Sequence, residues 1–132
     1  MLKRKAYDRL CDWKKRSGGT SALLIEGARR VGKSTLAREF GRNEYKSCLE
    51  IDFFQAPEEV KQYFHDYSND LDALFLYLSA YYGVELHQRE SLVIFDEVQM
   101  FPFARGMVKY LVADGRYDYL ETGSLLSIRQ NV

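Results

Sequence analysis

Ser21-Ala22-Leu23-Leu24-Ile25-Glu26 runs directly into Gly27-Ala28-Arg29-Arg30-Val31-Gly32-Lys33-Ser34-Thr35. The first segment is short, apolar and rich in branched side chains, which predicts a buried strand. The second fits G-x-x-x-x-G-K-[ST], the pattern of a phosphate-binding P-loop. Leu36, Ala37 and Phe40 then fall on one side of a helical run, so the motif has the strand–loop–helix setting it requires. Gly27 and Gly32 permit backbone angles that a side chain forbids and let peptide N–H groups close in on phosphate oxygens. A helix starting near Lys33 offers unpaired N–H groups and its positive dipole end to the same anion. Lys33 is placed to reach the β- and γ-phosphates and Ser34 to hold Mg2+. Ala28, Arg29, Arg30 and Val31 complete the loop. Thr35 closes it, one residue too far along to replace Ser34. A glycine-rich turn with an incidental lysine is the competing explanation.

Working outward, Leu2, Ala6, Leu10 and Trp13 recur at helical spacing before the strand, predicting an amphipathic helix. Residues 1–16 carry seven basic side chains (Lys3, Arg4, Lys5, Arg9, Lys14, Lys15 and Arg16) against Asp8 and Asp12. The whole chain of 132 residues is nevertheless charge-balanced, with 19 Lys and Arg against 19 Asp and Glu, so its overall charge names no partner. The basic helix suits nucleic acid or an acidic partner, with a plain solvated face as the bland alternative. Ser17-Gly18-Gly19-Thr20 turns the chain into the first strand.

Beyond the P-loop helix, Tyr45 to Phe53 predicts a second strand. Pro57-Glu58-Glu59 opens a helix with inner face Val60, Phe64 and Tyr67. Asp70 caps another, with the stripe Leu71, Leu74, Phe75, Leu78 and Tyr81 or Tyr82. These aromatic residues are better explained as core than as base-stacking platforms. Ser91–Phe95 is the third strand. Pro102 opens a helix with expected inner face Phe103, Met107, Tyr110 and Leu111. Tyr117–Glu121 is the fourth strand, and Leu125 to Asn131 reads as the start of a further helix. Alternating strands and helices imply a parallel sheet covered on both faces. Length makes 1–132 one domain. The expectation is therefore a three-layer α/β/α domain of the P-loop NTPase type.

Leu92-Val93-Ile94-Phe95-Asp96-Glu97 is four apolar residues followed by two acids, a Walker B pattern. Asp96 would hold Mg2+ beside the P-loop. Glu97 would orient or deprotonate the attacking water, a role suited to a carboxylate charged near neutral pH. Gln99 stands where Ras-type GTPases expect glycine, and no Asn-Lys-x-Asp string occurs, so adenine is expected over guanine. Leu10, Trp13 and the 17–20 loop are the candidate lining for the adenine. Thr122 and Ser124 lie where a polar sensor would meet the γ-phosphate or the attacking water, with a helix cap as the ordinary explanation of Ser124. Arg105 and Arg116 are candidates for a trans-acting arginine by charge alone. Cys11 and Cys48 have no metal-binding spacing and suit a reducing cytoplasm. His65 and His87 have no carboxylate or cysteine companions in sequence. No apolar run approaches a membrane span and no signal peptide is expected.

Leu23–Thr35, Leu92–Gln99 with Pro102 shortly after, and Leu120-Glu121-Thr122-Gly123-Ser124 together resemble the AAA_14 family of prokaryotic AAA-type ATPases, relatives of archaeal and STAND-like ATPases. The P-loop and Walker B strand are generic. Gly-Ala-Arg-x-Val-Gly-Lys, Asp-Glu-Val-Gln and Thr-Gly-Ser are the more specific part. The resemblance implies ATP and Mg2+ binding and a sheet ordered 5-1-4-3-2, of which this chain supplies four strands. Family members usually continue through a fifth strand, a lid and a further domain. The chain is therefore expected to lack a second sensor arginine and to expose the edge of its first strand, inviting self-association unless residues 125–132 fold back over it. Two functions are expected: a Mg-ATP-hydrolysing module using Glu97, or a nucleotide-dependent switch with little hydrolysis, with nucleic-acid association as a further reading of the basic helix.

Overall fold

The computed structural model describes residues 2–27 and 32–124. Its elements are α1 (Leu2–Ser17), β1 (Leu23–Gly27), α2 (Lys33–Glu44), β2 (Ser47–Asp52), α3 (Glu58–Asp66), α4 (Leu71–Tyr82), β3 (Ser91–Asp96), a 3-10 turn (Val98–Met100), α5 (Pro102–Asp114) and β4 (Asp118–Ser124). The four strands form one sheet in the order β1-β4-β3-β2, and every pairing is parallel. This is the implied family order for the strands described.

Alternation along the strands builds two apolar layers. Leu92 and Ile94 of β3, with Leu120 of β4, meet Leu10 and Trp13 of α1 and Leu36, Ala37 and Phe40 of α2. Val93 and Phe95, with Leu49 and Ile51 of β2 and Tyr119 of β4, point the other way, into Val60, Phe64, Leu74, Leu78 and Leu111. Every residue of β3 is buried, as expected of a central strand covered on both faces. The three-layer α/β/α reading therefore holds. Asp70 caps α4 by accepting from the Ala73 N–H at 3.1 Å. Gly83 and Gly115 end α4 and α5 in left-handed conformations that favour glycine.

The inner face of α5 differs from expectation. Ala104, Met107, Val108 and Leu111 are buried, whereas Phe103 and Tyr110 are 39% and 62% exposed. Met107 and Leu111 are inward as expected; Ala104 and Val108 take the places that ring size assigns to Phe103 and Tyr110. The fourth strand also runs further than expected. Its pairing with β1 continues through Gly27↔Ser124, so Thr122, Gly123 and Ser124 belong to the strand itself. The helix expected from Leu125 lies outside the described residues. Trp13 is a core residue, its ring centroid 6.3 Å from that of Phe40.

Candidate nucleotide site

Parallel sheets collect functional groups at the carboxyl ends of their strands. Here register brings Gly27, Ser124, Asp96 and Asp52 to one end: Gly27 pairs with Ser124 and Asp52 with Asp96. Gly32 precedes α2 with φ 78°, the left-handed region that glycine enters without steric cost. Its carbonyl accepts from the Leu36 N–H at 2.9 Å, closing the first helical turn. The expectations for Ala28, Arg29, Arg30 and Val31 fall outside the described residues.

Lys33 and Ser34 start α2 and face the end of β3. The Ser34 hydroxyl donates to Asp96 Oδ1 at 2.6 Å. Lys33 is only 5% exposed, and its Nζ lies 3.1 Å from Glu97 Oε2. Burial of an ammonium is tolerable only with such a partner. Thr35, one position on, is exposed. Glu97 leaves the strand with φ 51° and ψ 51°, a left-handed conformation costing a side-chain-bearing residue on the order of 1–2 kcal/mol. This is an observed departure from relaxed backbone at a candidate functional residue.

Two contacts hold that turn. Thr122 Oγ1 accepts from the Glu97 N–H at 3.0 Å and donates to Asp96 Oδ1 at 2.5 Å. Gln99 Nε2 donates to Glu97 Oε1 at 2.8 Å, and Gln99 Oε1 accepts from the Ser124 N–H at 3.4 Å. Thr122 is thus committed to the Walker B pair, one lone pair remaining. Ser124 Oγ is buried and has no hydrogen-bond partner among the described residues. It lies on the same sheet face as Thr122, two residues away.

Sequence reading placed Lys33, Ser34, Asp96, Glu97 and Thr122 in the site, and the structure brings these five into one hydrogen-bonded cluster. It missed the role of Gln99, which it used to separate nucleotide classes and as the end of the Asp-Glu-Val-Gln motif. The signal was its position two residues past Glu97. It also missed Asp52, whose carboxyl is pushed up by burial and by the neighbouring Asp96, Glu50 and Glu97, against the Phe54 N–H that holds it down. Arg116 is committed elsewhere, its guanidinium paired with Asp114 at 2.7 Å and Asp72 at 3.0 Å. Arg105 lies near Glu121 and lowers the pKa of that carboxyl, while burial acts in the opposite sense and dominates. His65 packs against Phe103 with ring centroids 4.2 Å apart, and the His87 backbone N–H donates to Ser91 Oγ. Cys48 is half-buried, its thiol pushed up to about 12 chiefly by desolvation, so it is not a poised nucleophile.

A four-stranded parallel sheet with a helix-opening Lys-Ser pair facing a strand-ending Asp-Glu pair defines a P-loop NTPase-like domain. The family model for AAA_14, an AAA domain, matches residues 19–131, and the chain belongs to that family. Membership makes it a nucleotide-binding, ATPase-like module at the level of the family. No curated protein matches the chain significantly. Among the described residues no helix is long and apolar enough to cross a membrane.

Proposed function

We propose that the chain, as one AAA-type core domain over residues 1–132, binds ATP with Mg2+ and hydrolyses it in the cytoplasm. The carrying observation is the 2.6 Å contact between Ser34 and Asp96, formed by residues 62 positions apart in sequence. One hydroxyl and one carboxylate are hard oxygen donors. They suit Mg2+, which binds through one or two carboxylates plus phosphate oxygens and water. Among the described residues no cluster of three or more His, Cys, Asp or Glu is placed to hold a metal. Bound Mg2+ would neutralise charge on the phosphates.

The chain's own residues do the rest. Gly27–Thr35 cradles the phosphates with backbone N–H groups. Lys33 exchanges its contact with Glu97 for the β- and γ-phosphates. Glu97 accepts a hydrogen bond from the attacking water and takes its proton. Thr122 keeps Asp96 and the Glu97 backbone in place, and Ser124 offers an uncommitted hydroxyl toward the γ-phosphate or the water. Catalysis is positioning and charge stabilisation, with no covalent intermediate. Adenine is preferred over guanine; Leu10 and Trp13 are buried against α2 and the sheet, and the 17–20 loop lies beside Arg89 at the amino end of the strands, so the lining expected for the base is not these residues.

Titration with mant-ATP should give saturable binding that Lys33→Ala weakens at least tenfold, and GTP should compete less well than ATP. Phosphate release should fall by about a hundredfold or more in Glu97→Gln, to a residual rate. Equal binding by wild type and Lys33→Ala refutes the site.

The second reading is a nucleotide-dependent switch with little turnover. The Lys33–Glu97 ion pair favours it, because the base is occupied until nucleotide draws Lys33 away. Tight binding without phosphate release would select it. The basic end of α1 supports a weaker association with nucleic acid: Lys14 stands 4.9 Å over the Tyr45 ring, beside a 310 Å3 cleft lined in part by Arg38, Arg42 and Lys46. Salt-sensitive DNA binding, lost when Lys14, Lys15 and Arg16 are neutralised, is its test.

A further inference from the structure

Gln99 has no part in the chemistry described so far, yet its amide is used at both ends. Only one orientation satisfies both neighbours: the carboxylate of Glu97 needs a donor and the Ser124 N–H needs an acceptor. Nε2 therefore faces Glu97 Oε1 at 2.8 Å and Oε1 faces the Ser124 nitrogen at 3.4 Å. A methyl group built on Gly123 would lie 3.3 Å from Gln99 Oε1, so a side chain there would have to push this amide by a few tenths of an ångström. The carboxylate of Glu97 is bound at both oxygens, Oε2 by Lys33 and Oε1 by Gln99. Lys33 is the contact that phosphate competes for; Gln99 is not.

We propose that Gln99 is a positioning residue that ties the Glu97 carboxylate to the end of β4 and keeps it aimed when Lys33 turns to phosphate. The inference rests on the reading of Glu97 as the group that activates water. A carboxylate has about four lone-pair positions. Gln99 takes one of them, on Oε1. The same amide joins Glu97 to the strand carrying Ser124, so a shift of β4 at the γ-phosphate is transmitted to the base. Thr122 grips the Glu97 backbone from that same strand. Main chain and side chain of Glu97 are therefore both referenced to β4.

The test uses the full chain and the variants Gln99→Met, Gly123→Ala, Glu97→Gln and Gln99→Met with Glu97→Gln. Gln99→Met keeps the volume and removes both hydrogen bonds. Gly123→Ala leaves Gln99 in place and displaces its amide by a few tenths of an ångström. Mant-ATP affinity should stay within about threefold of wild type in both, while kcat falls about tenfold in Gln99→Met and by less in Gly123→Ala, which corresponds to about 1.4 kcal/mol for the tenfold loss. In the Glu97→Gln background, Gln99→Met should change residual turnover by less than twofold. A wild-type kcat in Gln99→Met, or the same loss with and without Glu97, overturns the proposal. A second readout needs no turnover: in 15N-labelled, nucleotide-free protein, Glu97→Gln should shift the Gln99 side-chain amide and the Ser124 backbone amide together. If wild type binds ATP without releasing phosphate, the hydrolysis reading fails separately, and this spectrum decides the link. Unmoved Gln99 and Ser124 signals then overturn it.

Discussion

Thr122 carries two buried hydrogen bonds with one hydroxyl, accepting from the Glu97 N–H and donating to Asp96. Thr122→Val keeps the shape and strands a buried N–H, which costs about 1–3 kcal/mol. Melting should therefore fall by several degrees, Thr122→Ser should recover most of the loss, and a valine variant melting within a degree of wild type would refute this role. Glu121 is a different case. It is 8% exposed and its Oε1 has no hydrogen-bond partner among the described residues. Burial raises its carboxyl above the ordinary glutamate range, with Arg105 opposing. An acid with a raised folded pKa destabilises the fold above that pKa, where both states are ionised and the burial penalty is complete. The penalty disappears below the unfolded value, where both are protonated. Glu121→Met should thus raise the melting temperature at pH 7–8, and the gain should shrink as pH falls through the carboxylate range. A gain independent of pH would point to packing instead. Lys33, Ser34, Asp96 and Glu97 were legible in sequence because motif spacing encodes which groups must meet. Gln99 was not, because its contacts arise from a 3-10 turn that no local pattern announces.

Apolar spacing does not by itself fix a helix's inner face: α4 also carries Leu76, Tyr77 and Tyr81 exposed on its outer side. The α4 stripe was read correctly at Leu74, Phe75 and Leu78, whereas α5 offers large rings on one side and Ala104 and Val108 on the other. The strand boundaries were set by pairing: β4 continues to Ser124 because β1 is there to receive it. The start of β4 is also fixed by long-range contacts. Asp118 accepts from the Tyr45 hydroxyl and from the Arg89 guanidinium, each at 2.6 Å. One carboxylate thus fastens the turns preceding β2 and β3 to β4. Burial, followed by the Asp118 hydrogen bond, drives the Tyr45 hydroxyl far above its ordinary pKa, so it stays a donor. Asp118→Ala leaves both donors without their acceptor. Because Arg89 is 42% exposed at its side chain and water can replace part of the contact, the loss should be about 2 kcal/mol in urea unfolding. Tyr45→Phe should cost less, about 1 kcal/mol. Each effect should diminish in the background of the other variant, since both remove the same bond. Additive losses would show that Asp118 and Tyr45 stabilise independently.

At the scale of the molecule, order is distributed unevenly across the sheet. The central strands β3 and β4 are buried throughout, whereas Leu23, Leu24 and Ile25 of β1 are only half-buried. Among the described residues β1 pairs with β4 alone and stands at the end of the strand order. An apolar strand with one unpaired row of backbone groups is a template for another chain. The same strand leads into the P-loop, so we predict that fluctuation of this edge is coupled to the phosphate site. A ligand gripping Gly27, Lys33 and Ser34 binds only the ordered arrangement and stabilises it by mass action. At a hundred times its dissociation constant, Mg-ATP should add about 2.7 kcal/mol. For a domain of this size that corresponds to roughly ten degrees of melting temperature. Amide exchange at residues 23–27 should slow more than at 91–96, since β3 is already covered on both faces. Without nucleotide, size-exclusion profiles should broaden toward larger species as concentration rises, and Mg-ATP should reverse the trend. A concentration-independent monomer whose melting temperature and β1 exchange ignore Mg-ATP would refute both the coupling and the exposed edge. Self-association that persists with nucleotide and unchanged β1 exchange would instead move the contact to another surface.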